Sequence, residues 1–228
     1  MVGLSTHRGK ESALLQLDKL CKSYQDKKVL ESLSFDFPAP GVYAIAGPNG
    51  IGKSTLFRLI AGAEAPSSGR VVLNGLNPTD HRMAYRQKVS WAPEMDGIFP
   101  FITPDEYFRL ILNIRGQPAA DFPYKLINDL ALTPFLRTRY DELSLGNKKK
   151  TLLIAALMVP ATVLLLDEAC TGFDRSAQET FKRLMRDFAA RAIVLLVNHD
   201  ADQLAGIPLT ALEMQHQGQT LLIQGERM

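Results

Sequence analysis

The stretch Gly47-Pro48-Asn49-Gly50-Ile51-Gly52-Lys53-Ser54-Thr55 carries the residue types that hold a phosphate. Its frame is Gly47-x-x-x-x-Gly52-Lys53-Ser54, the pattern of a phosphate-binding loop, and each part has a physical reason. Glycines let successive backbone N–H groups turn inward onto phosphate oxygens. A helix that begins at Lys53 aims its positive end at the same anion. Lys53 reaches the outer phosphates of a polyphosphate, and the Ser54 hydroxyl is placed to hold Mg2+.

A pair of acids supplies the other half of the chemistry. Val163-Leu164-Leu165-Leu166 is an apolar run that ends in Asp167-Glu168. Ligands of parallel α/β sheets bind at the carboxyl ends of the strands. Asp167 therefore falls beside the phosphate loop, where it helps hold Mg2+. Glu168 points further out, where it polarises a water aimed at the terminal phosphate. A strand that runs into a helix N-cap also favours acids; the phosphate loop upstream decides for the chemical role.

These residues need elements to position them. Val42–Ala46 is a continuous apolar run, as a strand buried on both faces requires. It feeds the loop, and Lys53–Ala61 follows as a helix stopped at Gly62. Leu14–Leu20 and Val29–Phe37 read as strands with a turn at 25–28, and Arg70–Leu73 and Val89–Ala92 as short strands. Thr103-Pro104-Asp105-Glu106 spells a capping box with Pro at the first helical position. Tyr107, Leu110, Ile111 and Ile114 follow it at helical spacing. Further helices are expected over 147–158 and 177–189, the second with Phe181, Leu184, Met185 and Phe188 on one face. Ile193–Val197 is another buried strand. Strands alternating with helices indicate a mostly parallel α/β sheet, with the helical stretch of about 95–150 inserted into it.

Upstream of Asp167 lies Leu143-Ser144-Leu145-Gly146-Asn147, followed by Lys148-Lys149-Lys150. This resembles the signature motif of ABC-type ATPases, whose usual form is LSGGQ, and it leaves room for one helix, a turn and a strand before the acids. Ala169-Cys170-Thr171-Gly172-Phe173-Asp174 resembles the family's D-loop. His199, after the next strand, resembles its switch histidine. Tyr24 stands where the family places an aromatic that stacks on adenine, and Glu94 where it places the Q-loop glutamine. The resemblance runs over roughly residues 14–225.

The resemblance implies a fold and a mechanism. The fold is that of a P-loop NTPase: a RecA-like, mostly parallel core with an N-terminal antiparallel β subdomain (1–94 and 151–228) and a helical subdomain inserted at about 95–150. Two subunits, as a homodimer or a heterodimer, pack head to tail around two ATP molecules. The phosphate loop of one then faces Ser144, Leu145, Gly146 and Asn147 of the other. Gly172 and Asp174 lie at that interface. His199 contacts the terminal phosphate, with Glu168 and Lys53 as the other catalytic groups. Movement passes through Glu94 to separate transmembrane subunits, with export as the expected direction. The chain departs from the usual pattern at Glu94, Leu145, Asn147, Ala169 and Cys170, none of which removes a group the mechanism requires.

Composition narrows the alternatives. The chain has 228 residues, of which 46% are hydrophobic, enough to bury a full core unaided. Lys and Arg number 26 against 24 Asp and Glu, a net charge of +2. That balance weighs against nucleic acid as the partner. The longest apolar stretch, 152–166, is interrupted by Pro160 and falls short of a membrane span. No secretory signal is visible at the start. Two cysteines make no disulfide framework. A cytoplasmic protein on the inner face of a membrane is expected. A soluble ABC-type ATPase acting on ribosomes or DNA is the alternative; it would want a second ATPase core or a long coiled-coil insertion. Lys148–Lys150 open an amphipathic helix and read as its solvated face. Cys170 reads as a small structural residue and Trp91 as packing.

Overall fold

The computed structural model describes residues 14–94, 98–198, 201–217 and 220–227. Its central sheet is built from the runs with the fewest polar interruptions. β6 (Val163–Asp167) and β7 (Ile193–Val197) are buried along their whole length. Both faces of a parallel sheet are covered, so no alternation with polar residues survives. β3 (Gly41–Ala46) lies parallel to β7, and β5 (Val89–Ala92) parallel to β6. β8 (Thr210–Gln217) joins parallel to β3, and β9 (Thr220–Arg227) closes that edge antiparallel. The order is β5-β6-β7-β3-β8-β9.

Register decides where the chemistry falls. Ala92, Leu166, Leu196 and Ala44 sit side by side across β5, β6, β7 and β3. The four strands therefore end at one edge of the sheet. There β3 runs into Gly47, β5 into Glu94, β6 into Asp167-Glu168 and β7 into Asn198.

A second sheet is antiparallel throughout. β1 (Leu15–Tyr24) pairs with β2 (Lys27–Phe37) on one side and β4 (Ser68–Leu73) on the other. The two sheets and their helices enclose two apolar cores. Val163 and Leu165 of β6 face the core shared with α1 (Lys53–Ile60) and the small sheet. Leu164 and Leu166 face the opposite core, which holds α3 (Pro104–Ile114), α4 (Tyr124–Asp129), α5 (Leu145–Leu157) and α6 (Arg175–Ala189). The period of two along a strand produces this division.

The structure adds and corrects. A short helix, α2 (Arg82–Arg86), and the β8–β9 hairpin were not expected from the sequence. In β8 only Leu212 and Met214 are buried apolar residues, with exposed Glu213 between them, so the alternation is too short to stand out. The capping box of α3 is present: the Thr103 hydroxyl accepts from the Glu106 N–H at 3.4 Å and the Glu106 carboxylate from the Thr103 N–H at 2.9 Å. Its buried stripe only partly follows the residues singled out by spacing: Tyr107 and Ile111 are partly buried against the core. Phe108 and Leu112 are buried, while Leu110 and Ile114 are 40% and 67% exposed. Apolar residues occupy two neighbouring faces of α3, so periodicity alone could not choose between them.

Candidate functional site

The phosphate-binding loop is shaped by what packs behind it. Gly47 has φ +148, and a Cβ there would meet the Met214 carbonyl oxygen of β8 at 2.7 Å. Only glycine lets the loop leave β3 so close to its neighbour strand. Ile51 is buried and its N–H closes a turn onto the Pro48 carbonyl at 3.3 Å. α1 then begins at Gly52 with no side-chain cap and no acid in its first turn. Its first N–H groups and positive end are thus left without a capping side chain, as an anion site requires. Lys53 is 8% exposed, and its ammonium donates to the carbonyl oxygens of Gly47 at 2.6 Å and Pro48 at 3.1 Å. It arches over the loop that a phosphate would occupy.

The carboxylates come in from β5 and β6. Asp167 is 3% exposed and accepts a hydrogen bond from the Ser54 hydroxyl. Burial pushes its carboxyl above the usual carboxylate range; the Ser54 hydroxyl opposes this, and Glu94 and Glu168 reinforce it. A hydroxyl and a carboxylate meeting beside a phosphate loop fit a hard cation with oxygen ligands, which takes one or two protein carboxylates and completes its shell from phosphate and water. Mg2+ bound by Ser54 and Asp167 would neutralise phosphate charge. Glu168 follows with φ +51, a left-handed conformation uncommon outside glycine, and its N–H donates to the Val197 carbonyl at 2.9 Å.

A cleft of about 600 Å³ joins these parts. Its walls include Tyr24, Asn49, Gly50, Lys53, Ser54, Thr55, Glu94, Asp167 and Glu168. That volume suits a nucleotide-sized ligand. Tyr24 stands at the mouth, 39% exposed. Its hydroxyl donates to Glu64 at 2.6 Å, and the Lys22 ammonium lies 4.9 Å from the ring centroid. Glu64, which orients the ring, has no signal in the sequence; it follows α1 in an irregular loop.

Ser144, Leu145, Gly146 and Asn147 do not line this cleft. Ser144 caps α5, accepting from the Asn147 N–H at 3.3 Å, and is exposed; Leu145 is 45% exposed. A Cβ on Gly146 would stand 2.6 Å from the Gly172 carbonyl oxygen, so the tip of α5 is packed directly on the loop after Glu168. Asp174 caps α6, accepting from the Ala177 N–H at 2.9 Å, and lies 3.4 Å from the Lys150 ammonium. His199 lies outside the described residues.

The lysine run is corrected. Lys149 and Lys150 are 2% and 6% exposed, and only Lys148 approaches solvent. Helix α5 is buried on nearly every side from Lys149 to Leu157, so it has no solvated face for three cations. The Lys149 ammonium donates to the backbone carbonyls of Glu94 and Asp167. Burial pushes its amine down; Glu168, Glu94 and Asp167 hold it up. Cys170 is buried, with its Sγ donating to Gln203 Oε1 and accepting from Asn198 Nδ2, both at 3.1 Å.

Comparisons with known proteins bear on the family and the fold. The sequence profile described as ABC transporter matches residues 30–171. The human glucosylceramide transporter ABCA12 is 29% identical over 85% of this chain, which spans 8% of that protein. The Nod factor export ATP-binding protein I of Paraburkholderia xenovorans is 31% identical, covering 82% of this chain and 63% of its own length. The Fe(3+) ions import ATP-binding protein FbpC of Pseudomonas fluorescens is 30% identical, covering 93% and 66%. The chain thus spans under a tenth of the mammalian relative and about two-thirds of the bacterial ones. The solved ATP-binding subunit of an ABC transporter superposes with a TM-score of 0.78 at 25% identity, covering 88% of this chain and 85% of that one. A bacterial Atm1-family ABC exporter with ATP bound shares the fold, with a TM-score of 0.75 at 22% identity over 91% of this chain and 39% of that one. From the phosphate loop through the paired acids, on this sheet, the chain belongs to the ATP-binding domains of the ABC transporter family, a family that hydrolyses ATP.

Proposed function

We propose that this chain binds ATP with Mg2+ and hydrolyses it as a head-to-tail dimer, driving export of a substrate through separate transmembrane subunits. The observation that carries this reading is the division of the motifs. One cleft gathers the phosphate loop, Asp167 and Glu168, while Ser144–Asn147 stands outside it, with Ser144 and Leu145 exposed. A second copy, equal or different, supplies that missing wall, and one self-complementary face builds two sites.

The steps follow from the residues. The loop N–H groups and α1 hold the phosphates. The Lys53 ammonium exchanges its neutral carbonyl partners for phosphate oxygens, a stronger charge-assisted contact. Glu168 accepts a proton from water as its oxygen attacks the terminal phosphorus, and the bond from that phosphorus to the ADP oxygen breaks. His199 and the partner's signature residues hold the terminal phosphate in line. Tyr24 stacks on the adenine ring.

Glu94 and the helical stretch of 95–150 carry the movement outward. Phe99 and Phe101, 63% and 65% exposed with rings 5.7 Å apart, follow Glu94 in the chain and offer apolar surface for a membrane subunit. No helix among the described residues is long and apolar enough to cross a membrane. The peripheral, inner-face location rests on that partner.

The test is co-purification from detergent-solubilised native membranes. A polytopic membrane protein should accompany the tagged chain, and ATP-driven uptake into inside-out vesicles would report export. Recovery with ribosomes or DNA alone would contradict the transport reading, and loss of substrate from inside-out vesicles would reverse the direction.

A further inference from the structure

Lys149 belongs to neither half of the mechanism above, yet it touches both. It lies in the second turn of α5, the helix that begins at Ser144–Asn147, of which Ser144 and Leu145 are exposed. Its side chain runs inward, is 2% exposed, and ends on the carbonyl oxygens of Glu94 and Asp167. Those two residues close β5 and β6, and their side chains line the cleft together with Glu168. A buried ammonium loses hydration worth several kcal/mol, and an apolar residue would pack in α5 without that loss. What the charge gains is specific: two strand-end carbonyls held by one group, beneath a cluster of three carboxylates.

We propose that Lys149 is a positioning residue for hydrolysis, tying the signature helix to the Glu94 and Asp167 ends of its own subunit. The tip of α5 serves the partner's nucleotide while Lys149, one turn on, sets the carboxylates that serve its own. Engagement of the tip therefore reaches the subunit's own hydrolytic groups through one side chain. This rests on the dimeric ATPase reading. The reading itself fails if Glu168→Gln forms no ATP-dependent dimer; the inference is judged on Lys149 variants alone.

The experiment compares Lys149→Met, Lys149→Gln and Lys149→Arg, each alone and in the Glu168→Gln background. ATP affinity in EDTA should stay within about twofold of the parent for all three, because Lys149 touches neither the phosphate loop nor Tyr24, while turnover by the Met and Gln variants should fall by about tenfold or more, as misplaced catalytic groups do. Lys149→Arg, which keeps charge and donors, should recover most of the turnover. In the Glu168→Gln background, Lys149→Met should still give the ATP-dependent dimer, since the helix tip is intact. Unchanged turnover in Lys149→Met would overturn the proposal. So would joint loss of ATP affinity, dimer and turnover, failure of the Met and Gln variants to fold, or an Arg variant no better than Met. Each of those would make Lys149 either idle or simply a brace of the helix.

Discussion

At the residue scale, the site sets stability against chemistry. Asp167 is held buried and acidic beside Ser54, Glu94 and Glu168, and its carboxyl is raised above the unfolded value. A carboxyl raised on folding takes up its proton more readily when folded. Stability is thus greatest below the unfolded value and falls as pH rises through the raised one. The nucleotide-free protein carries that cost to the extent that Asp167 is ionised. Asp167→Asn should therefore raise the midpoint of thermal unfolding without nucleotide while reducing ATP turnover by about a hundredfold, the trade expected at an active site. A lowered midpoint in the calorimeter would show that Asp167 contributes to the fold in its charged form.

Tyr24 gives a second residue-scale prediction. Its hydroxyl is committed to Glu64 at 2.6 Å, so the ring is fixed before any base arrives. Glu64→Ala should weaken ATP binding by about three- to tenfold, the worth of one hydrogen bond. Binding of inorganic tripolyphosphate, which has no base to stack, should be unchanged. Equal losses for both ligands in a titration would place the effect on the phosphate loop.

The chemistry-bearing residues were legible because they are local. Gly47 to Ser54 is one contiguous stretch, and Asp167-Glu168 ends one apolar run. Glu64, Lys149 and Gln203 were not legible, because each acts across a long loop of chain on a partner that only the folded structure brings near. A lysine on a helix reads as solvent-facing until the neighbours covering α5 are known.

At the element scale, α5 is the piece where two demands meet. Gly146 occupies its first turn, where alanine has the higher helix propensity by about 1 kcal/mol. Its missing Cβ would, however, stand 2.6 Å from the Gly172 carbonyl. Contact overrides propensity here. Gly146→Ala should lower stability by about 1–3 kcal/mol, as overpacking does, and weaken the ATP-dependent dimer while leaving monomer ATP affinity intact. A stabilised variant in denaturant unfolding would mean that the loop at Gly172 yields at no cost. The β3, β6 and β7 strands were readable from their unbroken apolar runs. The stripe of α3 was not, because its apolar residues cover two adjacent faces and only packing against α5 selects one.

At the scale of the whole molecule, the parallel sheet converts sequence order into convergence. Four strands ending at one edge bring Gly47, Glu94, Asp167 and Asn198 together from distant parts of the chain. The alternation of β6 side chains between two cores gives one face to the phosphate loop with the small sheet and the other to the helices. Helix α5 packs within the second of these cores, with Ser144 and Leu145 exposed at its start and Lys149 turned inward. The net charge of +2 leaves phosphate binding to a local loop rather than to a basic surface.

The central claim is that one chain holds the hydrolytic half of a site whose other wall comes from a second copy. Sedimentation of the Glu168→Gln protein with ATP and Mg2+ tests it most directly. With hydrolysis blocked, the account predicts a dimer that persists on ATP, dissolves on ADP, and is lost when Ser144→Arg is added. A Glu168→Gln protein that turns over ATP at the parent rate, or stays monomeric at saturating ATP, would contradict it.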